Sequence, residues 1–358
     1  MTTFEIAVLP GDGIGREVMA PCVEALERAV TRTGGVGLRM TTCEAGADLY
    51  RRTGVALPDA VMTAARGAHA ILLGAMGLPD VRYPGGTEIA PQLDLREQLN
   101  LYAGVRPVRL FRGAPTPLAD ARAREIDFVL IREQTEGLFA ARKISQREPE
   151  AVLDTMRVSR AASERVFVFA FELARRRRAG GRPGRVTCVD KANVLPSMAY
   201  FREQFLAVAP RYSDIQADCM YVDAAGLNLV RAPWQFDVLV TENMFGDILS
   251  DVGAALIGGM GMAPSADIGD QHAVFQPAHG SAPDIAGRGL ANPTAMFLSG
   301  AMMLDWLGER HGVASCRAAA ANLTRAVESA FAPGDLVTCE QGGSAGTADV
   351  AARVLAAL

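Results

Sequence analysis

The sequence lacks the features that would assign it to several specialised classes of protein. Its six cysteines include no CxxC pair, and neither they nor the four histidines show the spacing of a zinc site. Several of the cysteines lie within apolar runs, which is typical of buried, reduced thiols. Neither a disulfide framework nor a Cys/His metal centre is therefore expected.

Signals for secretion, for a membrane or for a nucleic acid are also missing. The N-terminus has no basic segment followed by an apolar one, and no run of about 18 apolar residues occurs. The net charge is −4, and the one basic run, at residues 175–178, is typical of the solvated end of a helix. These absences predict a cytoplasmic enzyme whose partners include neither a nucleic acid nor a membrane.

Strand-like and helix-like segments alternate along the 358 residues, a length sufficient for two lobes. This alternation predicts an α/β fold with a largely parallel sheet. Residues 135–158 are irregular and are predicted to leave the sheet as a hairpin or arm. The predicted strands are residues 5–10, 70–73, 128–132, 185–189 and 237–241, and the predicted helices are residues 16–30, 159–178, 197–209 and 248–257.

A glycine-rich turn follows the first predicted strand. Gly11, Gly13 and Gly15 are spaced as GxGxG, whereas a dinucleotide-binding Rossmann turn has GxGxxG and an acidic residue after the second strand. A Rossmann-type reductase is one interpretation of this turn. A tight strand-to-helix turn near the ligand is the interpretation that the spacing favours.

Acidic residues and a lysine follow two of the predicted strands and one further apolar segment. Asp247 and Asp251 are four residues apart and share one face of a helix, an arrangement that suits Mg²⁺ or Mn²⁺. Asp223 follows an apolar segment and could supply a third ligand. Lys191 also follows a strand, where nearby cations would favour the neutral amine that a general base needs. The alternatives are a solvated acidic face and a surface lysine.

Three arginines lie in or beside apolar segments, where a guanidinium needs an anion. Arg96, Arg106 and Arg132 could each bind a carboxylate through two hydrogen bonds, or form structural ion pairs with Glu97 or Glu133.

A turn rich in small residues covers positions 276–293, and its backbone N–H groups could approach a phosphate. Within it, Asp284 could accept the ribose hydroxyls of NAD and would repel the 2′-phosphate of NADP. A plain surface loop is the alternative.

These segments together resemble the β-decarboxylating dehydrogenases, which include isopropylmalate, isocitrate, homoisocitrate, tartrate and D-malate dehydrogenases. The most specific segments are residues 189–195, 243–251 and 279–287, and the motifs are most similar to those of 3-isopropylmalate dehydrogenase. The resemblance implies a non-Rossmann fold of two interwoven α/β lobes with a central cleft. Residues 1–103 with 258–358 would form the NAD-binding lobe, and residues 104–257 the central lobe with the dimer interface, the arm and the metal site.

The resemblance also implies a role for each site residue in a homodimer with shared active sites. Arg96, Arg106 and Arg132 would bind the carboxylates of a dicarboxylate substrate. Lys191 would be the base, and it and Asp223 would come from the second subunit. The implied metal ligands are Asp223, Asp247 and Asp251, and the implied NAD-binding residues are His279, Gly280, Ser281, Ala282, Pro283, Asp284 and Asn292.

One residue departs from the family pattern. Phe139 stands where the family usually places a tyrosine that returns a proton after decarboxylation, and phenylalanine has no proton to give. Water or another side chain, such as Lys143 or Tyr83, could replace it, or the substrate could need no such protonation. Alternatively, the chain is a catalytically impaired regulatory subunit of an active homologue.

The substrate is expected to be a (2R)-malate derivative similar to 3-isopropylmalate, oxidised and decarboxylated with NAD and Mg²⁺ or Mn²⁺. By position in the family, Ile89, Gln92 and Leu93 would contact the C3 substituent. Gln92 is polar where isopropylmalate enzymes are apolar, so tartrate, D-malate and other alkylmalates stay open as substrates.

Overall fold

The computed structural model describes residues 2–141 and 144–358, and this part of the chain contains twelve strands and twelve α-helices. The predicted α/β fold is confirmed. The strands are β1 (Thr2–Gly11), β2 (Val36–Thr42), β3 (Ala70–Ala75), β4 (Ala103–Arg109), β5 (Asp127–Glu133), β6 (Gln146–Arg147), β7 (Val152–Leu153), β8 (Arg185–Asp190), β9 (Gln216–Tyr221), β10 (Val238–Thr241), β11 (Pro264–Ile268) and β12 (Ala273–Pro277).

The helices range from a single turn to 20 residues, and none of those described is long and apolar enough to span a bilayer. They are α1 (Ile14–Thr33), α2 (Ala47–Thr53), α3 (Asp59–Gly67), α4 (Pro91–Gln98), α5 (Gly137–Ala140), α6 (Arg160–Ala179), α7 (Pro196–Val208), α8 (Val222–Arg231), α9 (Asn243–Leu256), α10 (Thr294–His311), α11 (Ala314–Phe331) and α12 (Thr347–Ala357).

The chain divides into two compact units. The first contains Met1–Leu99, Phe111–Pro117 and Ile257–Leu358. Its strands lie in the order β2-β1-β3-β12-β11, with all pairs parallel except β11–β12. All six residues of β3 are buried, as expected of a parallel strand that is covered on both faces.

The second unit contains Asn100–Leu110 and Leu118–Leu256. Its strands lie in the order β4-β5-β10-β8-β9, with β4–β5 antiparallel and the other pairs parallel. The largely parallel sheet that the sequence predicts is thus confirmed in both units. The carboxyl ends of the parallel strands β5, β8 and β10 lead directly into the predicted site segments.

The irregular segment contains the predicted hairpin. Strands β6 and β7 pair with each other in a separate two-stranded sheet, so the prediction of an arm that leaves the main sheet is confirmed. Lys143, one of the proposed proton donors, lies outside the described residues.

Helix α9 begins five residues earlier than predicted, at Asn243 and not at residue 248. The reason is Glu242, whose carboxylate accepts hydrogen bonds from the backbone N–H groups of Met244 and Phe245 at 3.1 and 2.6 Å. An acid that satisfies the free N–H groups of the first turn starts a helix. A sequence pattern of apolar residues does not register this cap.

Candidate active site

Two of the three predicted arginines lie on one face of the β4–β5 ladder. Arg132 is opposite Gly104, and Arg106 is opposite Leu130, so the two arginines are diagonal neighbours. Both are buried. Helix α9 packs against this face at Gly246, where a Cβ atom would lie only 2.7 Å from the Arg132 side chain. A glycine at this position lets the helix approach the arginine closely.

The Arg132 guanidinium is fixed by two residues of α9. Its Nε donates a hydrogen bond to Asn243 Oδ1 at 2.9 Å, and its Nη1 forms an ion pair with Asp247. Asn243 in turn donates from Nδ2 to the carbonyl oxygen of Glu136 at 2.9 Å. Asn243 was not among the predicted site residues, although its motif was. It connects the arginine to the turn that carries Phe139.

The turn before Phe139 is held by a buried acid that was not predicted as part of the site. The Glu133 carboxylate accepts hydrogen bonds from the backbone N–H groups of Thr135 and Glu136 at 2.9 and 2.8 Å. Burial raises its pKa despite these bonds. Phe139 follows on α5, and its ring lies under the Arg132 guanidinium, 5.3 Å from the ring centroid. The phenyl ring therefore orients the arginine but supplies no proton.

Asp247 and Asp251 lie one turn apart on α9, as predicted. Desolvation and the negative charge of Asp247 raise the pKa of Asp251, while the charges of Arg106 and Arg132 lower it. Two carboxylates that repel each other at a helix surface, with oxygen as the only donor type, fit a hard divalent cation. The donor set therefore suits Mg²⁺ or Mn²⁺.

Asp223 forms a different contact. Its carboxylate accepts a hydrogen bond from Lys191 Nζ at 2.9 Å, and this bond lowers the pKa of Asp223. Within residues 2–141 and 144–358, no three acidic, histidine or cysteine side chains are close enough together to hold a metal ion. One chain thus brings together Asp247 with Asp251, and Lys191 with Asp223, but does not bring all three aspartates together.

In the first unit, Arg96 on α4 pairs with a fully buried acid. Its Nε donates to Asp267 Oδ2 at 2.7 Å, and Gln276 Nε2 donates to the same oxygen at 2.9 Å. The Nη groups of Arg96 have no partner among the described residues, so they can still bind an anion. The structural ion pair considered for this arginine thus exists, but with Asp267 and not with Glu97.

The three predicted specificity residues differ in exposure. Ile89 is fully buried in a cluster with Leu78 and Val81, so its side chain offers no surface here. Gln92 and Leu93 are partly exposed. The Oε1 atom of Gln92 is buried without a hydrogen-bond partner among the described residues. Such an acceptor is costly unless a ligand or water satisfies it.

The glycine-rich turn after β1 binds protein and not phosphate. Ile14 N, at the start of α1, donates to the carbonyl oxygen of Ser281 at 2.8 Å. Asp12 accepts hydrogen bonds from three backbone N–H groups, those of Ala47, Asp48 and Gly77, at 2.7 to 2.9 Å. Within the turn, the backbone N–H groups of Asp12, Ile14 and Gly15 donate to the carbonyl oxygens of Ala75, Ser281 and Asp12. None of these three is left for a pyrophosphate, and the Rossmann interpretation is wrong.

The predicted NAD-binding loop is anchored to this turn. Ser281 donates from Oγ to the carbonyl oxygen of Gly77. Asn292 donates to Glu340 at 2.9 Å and accepts from the backbone and hydroxyl of Thr294, so its amide serves the protein itself. Ser281 and Asn292 thus position the loop.

Other loop residues retain unused polar groups. His279 has a buried Nε2 atom without a partner among the described residues, and burial lowers the pKa of its ring. Asp284 is exposed, and Gly280 has open space where a Cβ would be. An unsatisfied ring nitrogen, an exposed acid and an open glycine fit a nucleotide that lies along the loop.

Tyr83, a further proposed proton donor, also belongs to the first unit. Its ring packs edge-on against that of Tyr50, with the centroids 5.3 Å apart. This packing fixes the ring beside the cluster that contains Ile89.

A family model described as isocitrate/isopropylmalate dehydrogenase matches residues 5–354. The chain belongs to this family. Like the dehydrogenases it resembles, it is a decarboxylating dehydrogenase. The regulatory-subunit alternative is not favoured, because the similar proteins are named as dehydrogenases themselves.

Individual relatives of this dehydrogenase are similar over most of their length. It is 41% identical to the 3-isopropylmalate/3-methylmalate dehydrogenase of Methanocaldococcus jannaschii, over 98% of this chain and 97% of that protein. It is 40% identical to the homoisocitrate dehydrogenase of the same organism, over 86% of each chain. The crystal structure of isocitrate dehydrogenase from Methylococcus capsulatus superposes with a TM-score of 0.86, at 38% identity and 99% coverage of both chains.

Proposed function

We propose that this dehydrogenase oxidises and decarboxylates a 3-substituted (2R)-malate, similar to 3-isopropylmalate, with NAD and Mg²⁺ or Mn²⁺. The observation that carries the proposal is the α9 surface, where Asp247 and Asp251 lie beside two buried arginines. Acids that suit a divalent cation and guanidinium groups that suit carboxylates occur side by side. A chelating 2-hydroxy acid requires this combination.

In this proposal, the arginines bind the substrate and the aspartates hold the cation. The guanidinium groups of Arg96, Arg106 and Arg132 bind the two carboxylates of the substrate. Asp247 and Asp251, with Asp223 of the partner subunit, would hold the cation. When bound, the cation would acidify the C2 hydroxyl and stabilise the negative charge that develops on loss of CO₂.

Proton transfer falls to Lys191. Its Nζ already makes a charge-assisted hydrogen bond to Asp223, 2.9 Å away, so the amine is positioned beside a predicted metal ligand. When Asp223 binds the cation instead, the nearby positive charge would favour the neutral amine, which can then accept the hydroxyl proton as hydride leaves C2. Phe139 cannot return a proton to C3, so we assign that proton to water.

The cofactor assignment rests on the loop anchored by Ser281. We propose that His279 Nε2 and Asp284 provide polar contacts to NAD, while Gly280 lets it approach the backbone closely. An exposed carboxylate at position 284 suits ribose hydroxyls and repels a 2′-phosphate. Ser281 and Asn292 serve by holding the loop in place.

We also propose that the enzyme is a homodimer with shared active sites. Eleven large hydrophobic side chains are exposed among the described residues, and ten of them belong to the second unit. Leu227 and Val230 on α8 and Ile248 on α9 lie on the same two helices as the predicted metal ligands. Concentrated exposed apolar surface is typical of a protein interface.

The arm supports the same proposal. Strands β6 and β7 have two residues each, and Val152 and Leu153 are exposed, as is Ile144 beside them. An isolated two-stranded sheet is only marginally stable in water. Pairing with a second arm would cover these side chains, and a dimer would bring Asp223 of the partner subunit to α9.

The test is NADH production by the purified protein with Mn²⁺ on 3-isopropylmalate, 3-methylmalate, isocitrate, homoisocitrate, tartrate and D-malate. We expect turnover on a 3-alkylmalate, loss of activity with a chelator and recovery with Mn²⁺. Absence of turnover on every substrate would contradict the proposal. Preference for tartrate or D-malate would correct only the proposed C3 substituent of the substrate and would leave the proposed reaction unchanged.

A variant of Gln92 tests which residue determines the preference for the C3 substituent. Because the Oε1 of Gln92 lacks a partner, this residue disfavours a large apolar substituent more than a small one, and Gln92→Leu is expected to shift kcat/KM toward 3-isopropylmalate over 3-methylmalate. Gln98→Leu is the matched control, since Gln98 lies on the same helix but is exposed and accepts a hydrogen bond from Arg66. An equal change in both variants would exclude a role for Gln92 in specificity.

A further inference from the structure

Two cysteines face each other across the last pair of strands in the second unit. Cys188 on β8 is directly opposite Cys219 on β9, and both thiols are free. Neighbouring strands lie about 4.8 Å apart. The Cα atoms of a disulfide are commonly about 4.4–6.8 Å apart. The register places the two side chains on the same face of neighbouring strands, so a disulfide needs little movement of the backbone.

The surroundings favour reaction at Cys219. The hydrogen bond from Cys188 and the charge of Arg202 lower the pKa of the Cys219 thiol, although partial burial opposes them. Arg202 is held in place by two 2.8 Å hydrogen bonds to the fully buried Asp190. Burial raises the pKa of Cys188. The pair thus consists of a partly exposed thiol that ionises more readily and a buried thiol that can resolve it.

The other four cysteines do not share this arrangement. Cys22 is buried, and its thiol donates to the carbonyl oxygen of Met296 at 3.3 Å. Burial raises the pKa of Cys22, Cys43 and Cys316. The thiol of Cys339 donates to the carbonyl oxygen of Ala345. Among the described cysteines, only the β8–β9 pair combines directly opposite positions on neighbouring strands with a nearby cation, Arg202.

We propose that Cys188 and Cys219 form a reversible disulfide when the enzyme meets a hydroperoxide, and that this modification lowers its activity. The Cys219 thiolate attacks the hydroperoxide, the O–O bond breaks, and an alcohol or water leaves as a sulfenic acid forms. The Cys188 thiol then displaces water to form the S–S bond. In total, two thiols and one hydroperoxide give one disulfide, one alcohol or water, and one further water. A dithiol reverses the step by exchange.

The effect on activity follows from what these strands carry, and it rests on the proposed function of Lys191 and Asp223. Lys191 comes directly after β8, and Asp223 lies in the first turn after β9. A disulfide draws its Cβ atoms to about 3.8 Å, closer than the spacing of neighbouring strands. Because β9 is the edge strand of its unit, it can shift toward β8 and change the Lys191–Asp223 geometry.

The chemical part is tested by mapping. The reduced protein is treated with hydrogen peroxide, blocked with a thiol reagent and digested without reductant. We expect a mass loss of two hydrogens and a peptide that links positions 188 and 219. Cys219→Ser should abolish this peptide, whereas Cys43→Ser should leave it unchanged. Absence of the linked peptide, or a linkage between other cysteines, would overturn the proposal.

The functional part is tested on the same samples. We expect oxidation to lower kcat/KM roughly 10- to 100-fold, since small misplacements of catalytic groups have effects of this order. Dithiothreitol should restore it, and Cys219→Ala should resist the loss. A mapped disulfide without loss of activity would overturn the regulatory role. If the reduced enzyme proves inactive on every substrate, the proposed function fails, while the mapping still decides the disulfide.

Discussion

The loop that follows β12 in the first unit and the α9 surface of the second unit differ in how their polar side chains are satisfied. In the loop, the side chains of Ser281 and Asn292 form hydrogen bonds with Gly77, Glu340 and Thr294, all within the same unit. In the second, Asp251 carries a raised pKa because its carboxylate is desolvated and lies near another. Ser281 and Asn292 thus hold the loop in place without a ligand, whereas Asp251 on the α9 surface keeps a desolvated carboxylate that a bound cation would stabilise.

This difference implies that ligand binding has different energetic consequences in the two regions. A preformed loop costs little conformational entropy when a nucleotide binds, because its residues are already ordered. The desolvation and repulsion that raise the pKa of Asp251 would be offset by a bound cation, which favours the bound state. We infer that binding the cation should stabilise the protein more than binding the nucleotide does.

The largest expected effect tests the α9 surface directly. Asp247→Asn removes a predicted metal ligand and the ion-pair partner of Arg132, so we expect kcat/KM to fall by about 10³-fold or more, comparable with loss of one strong electrostatic group. Thermal unfolding should no longer shift to higher temperature with Mn²⁺. The control is Asp335→Asn, an exposed aspartate paired with Arg353. A variant that keeps its Mn²⁺ shift would show that the cation binds elsewhere.

Two arginine variants separate an effect on activity from an effect on stability. Arg132→Lys loses the planar fork that reaches both Asn243 and Asp247, and we expect roughly 100-fold lower kcat/KM with a small loss of stability.

Arg96→Lys leaves the fully buried Asp267 poorly paired, which should cost about 1–3 kcal/mol in the free energy of unfolding. Steady-state kinetics and denaturant titration measure both. Equal losses of stability would remove the distinction between a structural and a functional ion pair.

Much of this contrast could not be predicted from the sequence. Periodicity and motif order were sufficient for the α/β class, the arm and the pairing of Asp247 with Asp251. They could not show that Asp12 accepts hydrogen bonds from Ala47 and Asp48 at the start of α2 and from Gly77 after β3, because these contacts join residues 35 or more positions apart. Partner choice across such distances depends on tertiary packing and not on local pattern.

The same limit applies to the unpredicted residues. Asn243 connects Arg132 to the turn before Phe139, and its role depends on which strand lies beside α9. The Cys188–Cys219 pair depends on the register of two strands. A shift of one residue would place the two thiols on opposite faces of the sheet.

A smaller effect is expected from restoring the missing phenol. Phe139→Tyr keeps the ring under Arg132 and adds a hydroxyl that can donate a proton. We expect kcat to rise about tenfold, less than the ~10²–10⁴-fold typical of positioned acid catalysis, because water already supplies this proton. Phe139→Leu is the control, because it removes the ring without adding a donor. The rate of 2-keto acid release measures both. No gain in the tyrosine variant would show that protonation does not limit turnover.

The smallest effect concerns His279 in the loop after β12, whose buried Nε2 atom has no partner among the described residues. Burial lowers the pKa of His279 below its ordinary value of 6.5, so the unfolded chain takes up a proton that the folded chain refuses as the pH falls. The free energy of unfolding should therefore decrease below about pH 6.5, by at most about 1.4 kcal/mol per pH unit for this group. His279→Gln should flatten this slope at pH 5–6.5 and leave the values at pH 8 offset by a constant. Because burial also lowers the pKa of His272 and His311, part of the slope should remain. An unchanged slope in His279→Gln would mean that the ring is solvated, and the loop would then hold no preformed polar contact for a nucleotide.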